Sequence, residues 1–263
     1  MYNYLIIIVL LCVSMYFLFF YKKTRPKRET FKDTNYLDGI DVIYWINLDR
    51  SVDRRQLMEK MFEDPIFAEK KIIRISAVDG KAHNIDQILN SNFEGMKPDN
   101  FTKVEYACLL SHLKTIKHFS ESNDKTALIM EDDMTLEYKP YWKKSVQQII
   151  DNAPNDWDLI QLCININSPL KKIYTPNRNG HVSCNGAYVI NKKGSLKLDE
   201  NKYKLEDTLH VADVYIFNKM NTYAYKYPMF TYKFNQSSTI HQEHLEQHDR
   251  NKKIIDNFIK GQT

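Results

Sequence analysis

The sequence has little cysteine and little net charge, and both shortages exclude classes of protein. It contains 4 cysteines in 263 residues, and none of them form the Cys-x-x-Cys pair of zinc ribbons and thioredoxin-like proteins. Cys108, Cys163 and Cys184 are each flanked by apolar or small residues, so we predict buried free thiols and at most one disulfide among them. The formal net charge is only +4, and much of the positive excess lies in one basic run, residues 22–28. Because the remainder is near neutral, we predict no nucleic-acid partner.

Charged residues are also missing from the segment Tyr4–Tyr21. A helix of this length is about 27 Å long, close to the hydrocarbon thickness of a bilayer. The positive start, short apolar core and small-residue cleavage site of a signal peptide are absent. We therefore expect a single-pass membrane protein with a transmembrane anchor at 1–22, a basic stem at 23–40 and one globular domain at 41–263.

The sequence leaves open on which side of the membrane this domain would lie. The basic run follows the apolar segment, which favours the cytoplasmic side. Asn100 and Asn235 each begin an N-glycosylation sequon, which fits a lumenal domain instead.

Apolar runs and helical patterns alternate along residues 41–234. Dense apolar runs predict strands at 41–48, 70–78, 126–130, 158–164, 186–191, 222–227 and 229–234. The spacing of apolar residues predicts helices at 51–62, 103–119, 141–153, 192–198 and 209–220. Such alternation is typical of an α/β fold with a mostly parallel sheet flanked by helices.

The stretch 128–136, LIMEDDMTL, ends a predicted buried strand with three consecutive carboxylates, Glu131, Asp132 and Asp133. Ligands gather at the carboxyl ends of strands in open parallel sheets. Hard oxygen donors there could hold Mg²⁺ or Mn²⁺ together with substrate phosphates, and the cation would relieve the repulsion between the carboxylates. A solvated acidic loop is the alternative. The Asp-x-Asp-x-Asp-Gly spacing of an EF-hand is missing, which excludes that class of site.

Two further strand ends carry residues suited to a nucleotide. The stretch 46–55, INLDRSVDRR, ends a strand at Asn47 and then offers Arg50 and Arg54 near the start of a helix. A strand end, a helix N-terminus and guanidinium groups can together cradle phosphates. The stretch 76–80, SAVDG, closes the next strand with Asp79 and Gly80 and could touch a base or ribose. Exposed arginines on a helix face and a plain turn are the alternatives.

Five stretches, in the order INLDRSVDRR, ISAVDG, EYACLLSHL, LIMEDDMTL and GAYVINKKGSLKL, resemble glycosyltransferase family 25. The resemblance covers about residues 41–240. It implies a GT-A-like (Rossmann-like) mixed sheet flanked by helices, a UDP-galactose or UDP-glucose donor, Mn²⁺ or Mg²⁺, and inversion at the anomeric carbon. The acceptor would be a hydroxyl of a glycan, of a lipid-linked molecule or of a protein.

The resemblance also implies site residues by position. Glu131 and Asp133 would hold the metal together with a late histidine, His241. Asp132 and Asp213 would be catalytic, with Asp213 as the general base on the acceptor hydroxyl. The donor-binding residues would be Asn47, Leu48, Arg50, Arg54, Ala77, Asp79, Gly80, Glu105, Ser111 and His112. Gly186 and Tyr188 match a late strand of the family.

Alternatives exist for the function and for single residues. An inactive relative could act as a scaffold or binding domain, although the retained carboxylates argue against it. An unrelated metal-dependent phosphoryl or hydrolytic enzyme would need a further His or Asp cluster for a second metal, which the sequence lacks. His112 could be a structural core histidine, and Asp213 and His241 could be surface groups. A membrane-anchored glycosyltransferase is the leading hypothesis.

Overall fold

The computed structural model describes residues 35–96, 101–178, 180–205, 212–233 and 245–261. The fold is that of the unit Tyr36–Thr263. Within the described ranges, no helix is both long enough and apolar enough to cross a bilayer. The predicted anchor at 1–22 lies outside the described residues. The prediction of a single-pass membrane protein is contradicted by this finding, and we withdraw it.

A seven-stranded mixed sheet forms the centre of this unit. Its strands lie in the spatial order β2-β1-β4-β8-β6-β10-β7, and two short sheets pair β3 with β9 and β5 with β11. The strands are β1 (Val42–Asn47), β2 (Lys71–Ser76), β3 (Phe93–Glu94), β4 (Thr126–Glu131), β5 (Met134–Thr135), β6 (Leu159–Gln161), β7 (Tyr174–Pro176), β8 (Ala187–Asn191), β9 (Tyr203–Lys204), β10 (Thr222–Tyr225) and β11 (Thr231–Tyr232).

Parallel and antiparallel pairs both occur in the central sheet. β1 pairs in parallel with β2 and β4, and β6 pairs in parallel with β10. β8 lies between β4 and β6 and is antiparallel to both, and β7 is antiparallel to β10. The predicted α/β class with a mixed sheet is therefore confirmed. The prediction of a mostly parallel sheet is wrong, because the pairs β4–β8, β8–β6 and β10–β7 are antiparallel and only β2–β1, β1–β4 and β6–β10 are parallel.

Helices flank this sheet. They are α1 (Val52–Met61), α2 (Ile85–Asn92), α3 (Lys103–Ser120), α4 (Val146–Asp151), α5 (Lys192–Leu196), α6 (Ala212–Lys219) and α7 (Leu245–Lys260). Apolar residues of α3 and α6, such as Leu110 and Ile216, belong to one buried cluster. Those of α1, α4 and α7, such as Met58, Ile149 and Ile255, belong to another.

β1 is buried on both faces, as its uninterrupted apolar run predicts. Tyr44 and Ile46 join the cluster that contains α3, whereas Ile43 and Trp45 join the cluster that contains α1. Because successive side chains of a strand point to opposite faces, the two clusters lie on opposite faces of the sheet. Helices therefore pack against both faces of the sheet.

Some elements differ in extent from their sequence prediction. The helix predicted at 141–153 begins only at Val146, where the side chain of Ser145 accepts a hydrogen bond from the backbone N–H of Gln148 and caps the helix. The strand predicted at 229–234 is reduced to the two residues of β11. α2 and α7 were not predicted.

The described cysteines are free thiols, as predicted, but the predicted burial holds only for Cys163. Cys163 is buried, whereas Cys108 and Cys184 are partly exposed. The Sγ atoms of Cys163 and Cys184 lie 3.2 Å apart. Cys108 lies on α3, far from this pair in sequence.

The carboxyl ends of β1, β2 and β4 meet at one edge of the sheet. Asn47 at the end of β1 is paired with Ser76 at the end of β2, and Ile46 is paired with Glu131 at the end of β4. The loops that leave β1 and β2 therefore start side by side, next to the acidic triplet Glu131–Asp133. This edge is where the sequence predicts a ligand site.

Candidate active site

A charged cleft lies at the carboxyl ends of β1, β2 and β4. It encloses about 790 Å³, part of which is open to solvent. Its walls are the loops after β1 and β2, one face of α3 and the acidic triplet. The lining residues are Ile46, Asn47, Leu48, Arg50, Arg54, Ala77, Val78, Asp79, Gly80, Lys81, Val104, Cys108, Ser111, His112, Glu131, Asp132 and Asp133. Four of the five stretches that carry the family resemblance thus meet in one place.

Arg54 and Asn47 hold the two aspartates of the triplet. The guanidinium of Arg54 lies 3.0 Å from Asp132 Oδ1 and 2.8 Å from Asp133 Oδ2. Asn47 Nδ2 donates a hydrogen bond of 2.6 Å to Asp132 Oδ2. Arg74 Nε donates to Asn47 Oδ1 at 3.1 Å, which orients the amide. Protein groups therefore relieve part of the repulsion that the sequence interpretation assigned to a cation.

Asp133 is less completely paired than Asp132. Among the residues that the structure describes, Asp133 Oδ1 is buried and has no hydrogen-bond partner. Burial and the charge of Glu131 raise the pKa of Asp133 to about 7, against the opposing charge of Arg54. Burial also raises the pKa of Asp132, although Arg54 and the hydrogen bond from Asn47 oppose this. A buried, unpaired carboxylate oxygen is costly, and a cation would stabilise its charged form.

His112 connects the triplet to β8. Its Nε2 atom lies 3.1 Å from Glu131 Oε1, and its Nδ1 atom lies 3.1 Å from the hydroxyl of Tyr188 on β8. The two rings are stacked with centroids 5.8 Å apart. Burial raises the pKa of Glu131, but the hydrogen bond and charge of His112 together with Arg54 outweigh it, so the net shift of this pKa is downward. His112 is thus buried but faces the cleft.

Arg50 and Asp79 join the loops after β1 and β2. Arg50 Nε donates to Asp79 Oδ2 at 2.7 Å, and Arg50 Nη2 donates to Asp79 Oδ1 at 3.3 Å. This pairing raises the pKa of Arg50 and lowers the pKa of Asp79. The side chain of Arg50 is 47% exposed, so its remaining N–H groups can reach an anion in the cleft.

Gly80 and Ser111 hold the loop after β2 against α3. A Cβ atom at position 80 would lie 2.6 Å from the backbone Cα of Val104, so a residue with a side chain would force the loop and helix apart. Ser111 Oγ accepts a hydrogen bond of 2.9 Å from the backbone N–H of Val78 and donates one of 2.7 Å to the carbonyl of Ala107. Both residues therefore set the distance between two walls of the cleft.

Two of the predicted site residues that the structure describes, Glu105 and Asp213, are not among those that line the cleft. Glu105 accepts a hydrogen bond of 2.7 Å from the backbone N–H of Thr102 and completes a capping box at the start of α3. Asp213 lies at the start of α6, and its Oδ2 accepts a hydrogen bond of 3.2 Å from the backbone N–H of Cys184. Burial raises the pKa of Asp213. His241 lies outside the described residues.

Cys108 and Arg74 contribute to the site although the sequence interpretation gave them no role. Cys108 Sγ, a ring nitrogen of His112 and a carboxylate oxygen of Glu131 all lie within 4.8 Å of one another. The spacing of four residues between Cys108 and His112 in EYACLLSHL places both on one face of a helix, which is a signal that could have been used. Arg74 had no sequence signal, because it reaches Asn47 only through the pairing of β1 with β2.

The fold and the cleft together define an α/β protein with a charged candidate binding site at the edge of a mixed sheet. The model of glycosyltransferase family 25, described as an LPS biosynthesis protein family, matches residues 40–216. Human procollagen galactosyltransferase 2 is 33% identical over 180 residues, which cover 61% of this chain and 27% of that protein. A glycosyltransferase 25 family member from Drosophila melanogaster is 29% identical over 196 residues, which cover 68% of this chain and 30% of that protein.

The chain belongs to glycosyltransferase family 25, as the order of its motifs predicts. The match covers every residue that lines the cleft and also Tyr188 on β8. The chain spans less than a third of the length of the curated relatives that it matches.

Proposed function

We propose that this chain transfers a hexose from a UDP-sugar to an acceptor hydroxyl, with inversion at the anomeric carbon and with a divalent cation. The observation that carries this proposal is the convergence of four family motifs on one cleft, which the acidic triplet helps to line. In this proposal residues 41–263 form a GT-A-like domain. The mixed sheet with a cleft at its carboxyl edge supports that assignment.

Glu131 and Asp133 are the proposed ligands of Mn²⁺ or Mg²⁺. Three carboxylates face one fully charged guanidinium, Arg54, and Asp133 Oδ1 is buried without a hydrogen-bond partner among the described residues. This excess of negative charge and the oxygen donors fit a hard divalent cation. Such a cation would neutralise charge that develops on the leaving diphosphate. His241 remains a proposed further ligand.

The loops after β1 and β2 are the proposed donor subsite. Arg50 would bind diphosphate oxygens, because its guanidinium is half exposed at the cleft. Leu48, Ala77 and the Gly80 backbone would contact the nucleoside, because they line the same wall. Asn47 and Arg54 would act through the triplet, which they already orient. These groups bind and orient the donor before any transfer takes place.

Other predicted donor residues have contacts that suggest a positioning role. Ser111 ties the loop after β2 to α3 through Val78, and Glu105 caps α3. His112 holds Glu131 in place. We therefore propose that these three residues shape the donor subsite, and that they do not all contact the nucleotide directly.

Asp213 and Asp132 are the proposed catalytic carboxylates. An inverting transfer needs one general base on the acceptor hydroxyl, on the face opposite the leaving group. Burial raises the pKa of Asp213, and a base whose pKa lies closer to the working pH is more effective. Asp132 would keep Asn47 and Arg54 in place during the reaction.

Galactose is the proposed sugar ahead of glucose, because relatives of this chain are galactosyltransferases by name. The acceptor would be a hydroxyl of a protein, a glycan or a lipid-linked molecule. The procollagen galactosyltransferases among the relatives favour a protein hydroxyl.

Donor turnover tests this proposal directly. The full chain is incubated with labelled UDP-galactose or UDP-glucose and Mn²⁺, and release of the sugar to water or to acceptor is followed. We expect turnover that a chelator abolishes and that Asp133→Asn lowers by about 10²–10³-fold, because an electrostatic contribution to the transition state is lost. Asp249→Asn on α7 is the matched control, since Asp249 pairs with Lys253 on the surface.

Two outcomes would contradict the proposal in different ways. UDP binding without turnover of either sugar would identify an inactive relative that serves as a binding domain. Turnover that Asp133→Asn leaves unaffected would exclude Asp133 as a ligand of the catalytic metal. The anomeric configuration of the product, read by NMR, tests inversion.

A further inference from the structure

Three side chains with different ligand atoms converge in the cleft beside the acidic triplet. Cys108 and His112 lie on α3, and Glu131 ends β4. One ligand atom from each, a sulfur, a nitrogen and an oxygen, lies within 4.8 Å of the other two. His112 Nε2 and Glu131 Oε1 are 3.1 Å apart, a separation close to that between two ligands of one tetrahedral ion with metal–ligand bonds of about 2.0 Å.

The donor set points to a particular class of metal. A thiolate suits borderline or soft ions and is a poor ligand for Mg²⁺ or Mn²⁺, which prefer oxygen. Sulfur, imidazole nitrogen and carboxylate oxygen are the three ligand types that Zn²⁺ uses in proteins. Two of the three come from one helix face at a spacing of four residues. The mixed sulfur, nitrogen and oxygen ligands of this cluster therefore differ from the oxygen ligands around Asp133.

The surroundings of His112 also suit a metal ligand. A metal-bound histidine usually gives its other ring N–H to a fixed acceptor, which orients the ring. His112 Nδ1 lies 3.1 Å from the hydroxyl of Tyr188, a fully buried side chain. With its hydrogen on Nδ1, the ring would donate to the Tyr188 oxygen and leave the Nε2 lone pair directed to the ion.

The position of the three residues leaves room for a fourth ligand. Cys108, His112 and Glu131 all line the cleft, which is partly open to solvent. Three protein ligands with one open position are the arrangement in which a zinc ion binds water or a substrate group.

We propose that Cys108, His112 and Glu131 form a binding site for one Zn²⁺ ion. The proposal does not rest on the transferase activity, because it follows from the ligand atoms alone. Glu131 is also a proposed ligand of Mn²⁺, so the two ions would compete for this carboxylate. The free thiol must lose its proton when the ion binds.

Cobalt substitution tests the site. The reduced full chain is stripped of metal with a chelator and titrated with Co²⁺, which reports thiolate ligation by a near-ultraviolet charge-transfer band and four-coordination by intense visible bands. We expect one equivalent of Co²⁺ with both signals and their loss when Zn²⁺ is added. Cys108→Ser should abolish the charge-transfer band. Cys163→Ser, which changes a thiol elsewhere in the fold, should leave it intact.

The variant Tyr188→Phe distinguishes a residue that orients His112 from one that binds the metal ion. It keeps all three ligands and removes only the hydroxyl beside Nδ1, so the charge-transfer band should remain while Co²⁺ affinity falls about tenfold. An equal loss of the band in this variant and in Cys108→Ser would contradict the assigned roles.

Clear outcomes would overturn the proposal. The site is absent if the wild-type chain shows no charge-transfer band, or if the band survives in Cys108→Ser. Loss of the band in Cys163→Ser would place the ion at the Cys163–Cys184 pair instead. A measurement without any variant, mass-spectrometric mapping of thiol alkylation, should show Cys108 protected by Zn²⁺; unchanged alkylation of Cys108 would equally exclude the site.

Discussion

Arg54 neutralises much of the negative charge of the acidic triplet. It bridges Asp132 and Asp133 through two ion pairs, and its side chain is only 18% exposed. Buried carboxylates without a counter-charge are strongly unfavourable. The stability of this edge of the sheet therefore depends on one guanidinium group more than on surface ion pairs elsewhere.

Replacing Arg54 should destabilise the fold and make it depend on a cation. We expect Arg54→Met to lower the free energy of unfolding by about 3 kcal/mol, because two carboxylates lose their counter-charge. Urea unfolding without added metal measures this. Mn²⁺ should restore more stability to the variant than to the wild type.

Arg55→Met is the matched control for Arg54. Arg55 is adjacent in sequence, and its closest carboxylate, Asp49, is 70% exposed and 3.8 Å away. Its replacement should cost less than about 1 kcal/mol. Equal effects of the two substitutions would show that Arg54 is not the counter-charge of the triplet.

The stability that the pair of Arg50 and Asp79 contributes should depend on pH. Hydrogen bonds from Arg50 lower the pKa of Asp79 in the folded state, so the pair contributes stability above the unfolded pKa of about 3.9. That contribution is lost as the pH falls through the lower folded pKa. We expect Asp79→Asn to cost about 0.5–1 kcal/mol at pH 7 and progressively less as the pH falls below about 3.9, as measured by urea unfolding over a series of pH values.

The control for this dependence is Asp86→Asn, which removes an exposed partner of Lys103. It reports the cost of removing an exposed carboxylate under the same conditions. A cost of Asp79→Asn that stays constant, or grows as the pH falls, would contradict the assigned pairing.

At the scale of elements, α3 is the helix that organises the cleft. Its N-terminus is capped by Thr102 and Glu105, and Cys108, Ser111 and His112 on its inner face line the cleft. The loop after β2 is held on this helix by Ser111 and by the close approach at Gly80. A change at the start of α3 should therefore be transmitted through packing to the loop after β2, which is part of the proposed donor subsite.

Substitutions of Glu105 distinguish capping from nucleotide contact. Glutamine preserves the capping box, because its side-chain oxygen can accept from the Thr102 N–H. We expect Glu105→Gln to leave UDP affinity and stability nearly unchanged, and Glu105→Ala to lower the free energy of unfolding by about 1 kcal/mol. Calorimetric UDP titration and urea unfolding provide the two readouts. Loss of UDP affinity in Glu105→Gln at full stability would instead support direct contact with the donor.

At the scale of the whole molecule, the site depends on residues far apart in sequence. The hydrogen bond between Asn47 and Asp132 joins positions 85 residues apart. β8 inserts between β4 and β6 in the antiparallel sense and brings Tyr188 to His112. Ligand binding should therefore stabilise the entire unit, because the cleft is lost when any of these elements unfolds.

Thermal unfolding with UDP and Mn²⁺ tests this coupling. At about 100 times the dissociation constant, a ligand that binds only the native state adds about 2.7 kcal/mol, which corresponds to a rise of roughly 5–10 °C in Tm for a domain of this size. We expect the full rise only with both ligands, and removal of the metal by a chelator should reverse most of it. A rise from UDP alone to which Mn²⁺ adds nothing would argue against metal-assisted donor binding.

Local pattern was sufficient to determine the fold class and most of the cleft. The apolar run at β1 and the carboxylates after β4 are contiguous in the chain, so a strand and the residues at its end can be read directly. Asn47, Arg50, Arg54, Asp79 and the triplet were all identified in this way, and all line the cleft. The family followed from the order of the same stretches.

The tertiary structure alone decided which of these side chains form ion pairs or bring their ligand atoms together. Arg54 pairs with the triplet, and Cys108 and His112 on α3 meet Glu131 at the end of β4. Neither of these contacts with the triplet is set by spacing along the chain, because each depends on strand order, on register or on how α3 lies against the sheet. The sequence by itself determined which residues stand at the strand ends, and packing determined the charges and ligand atoms that each of them faces.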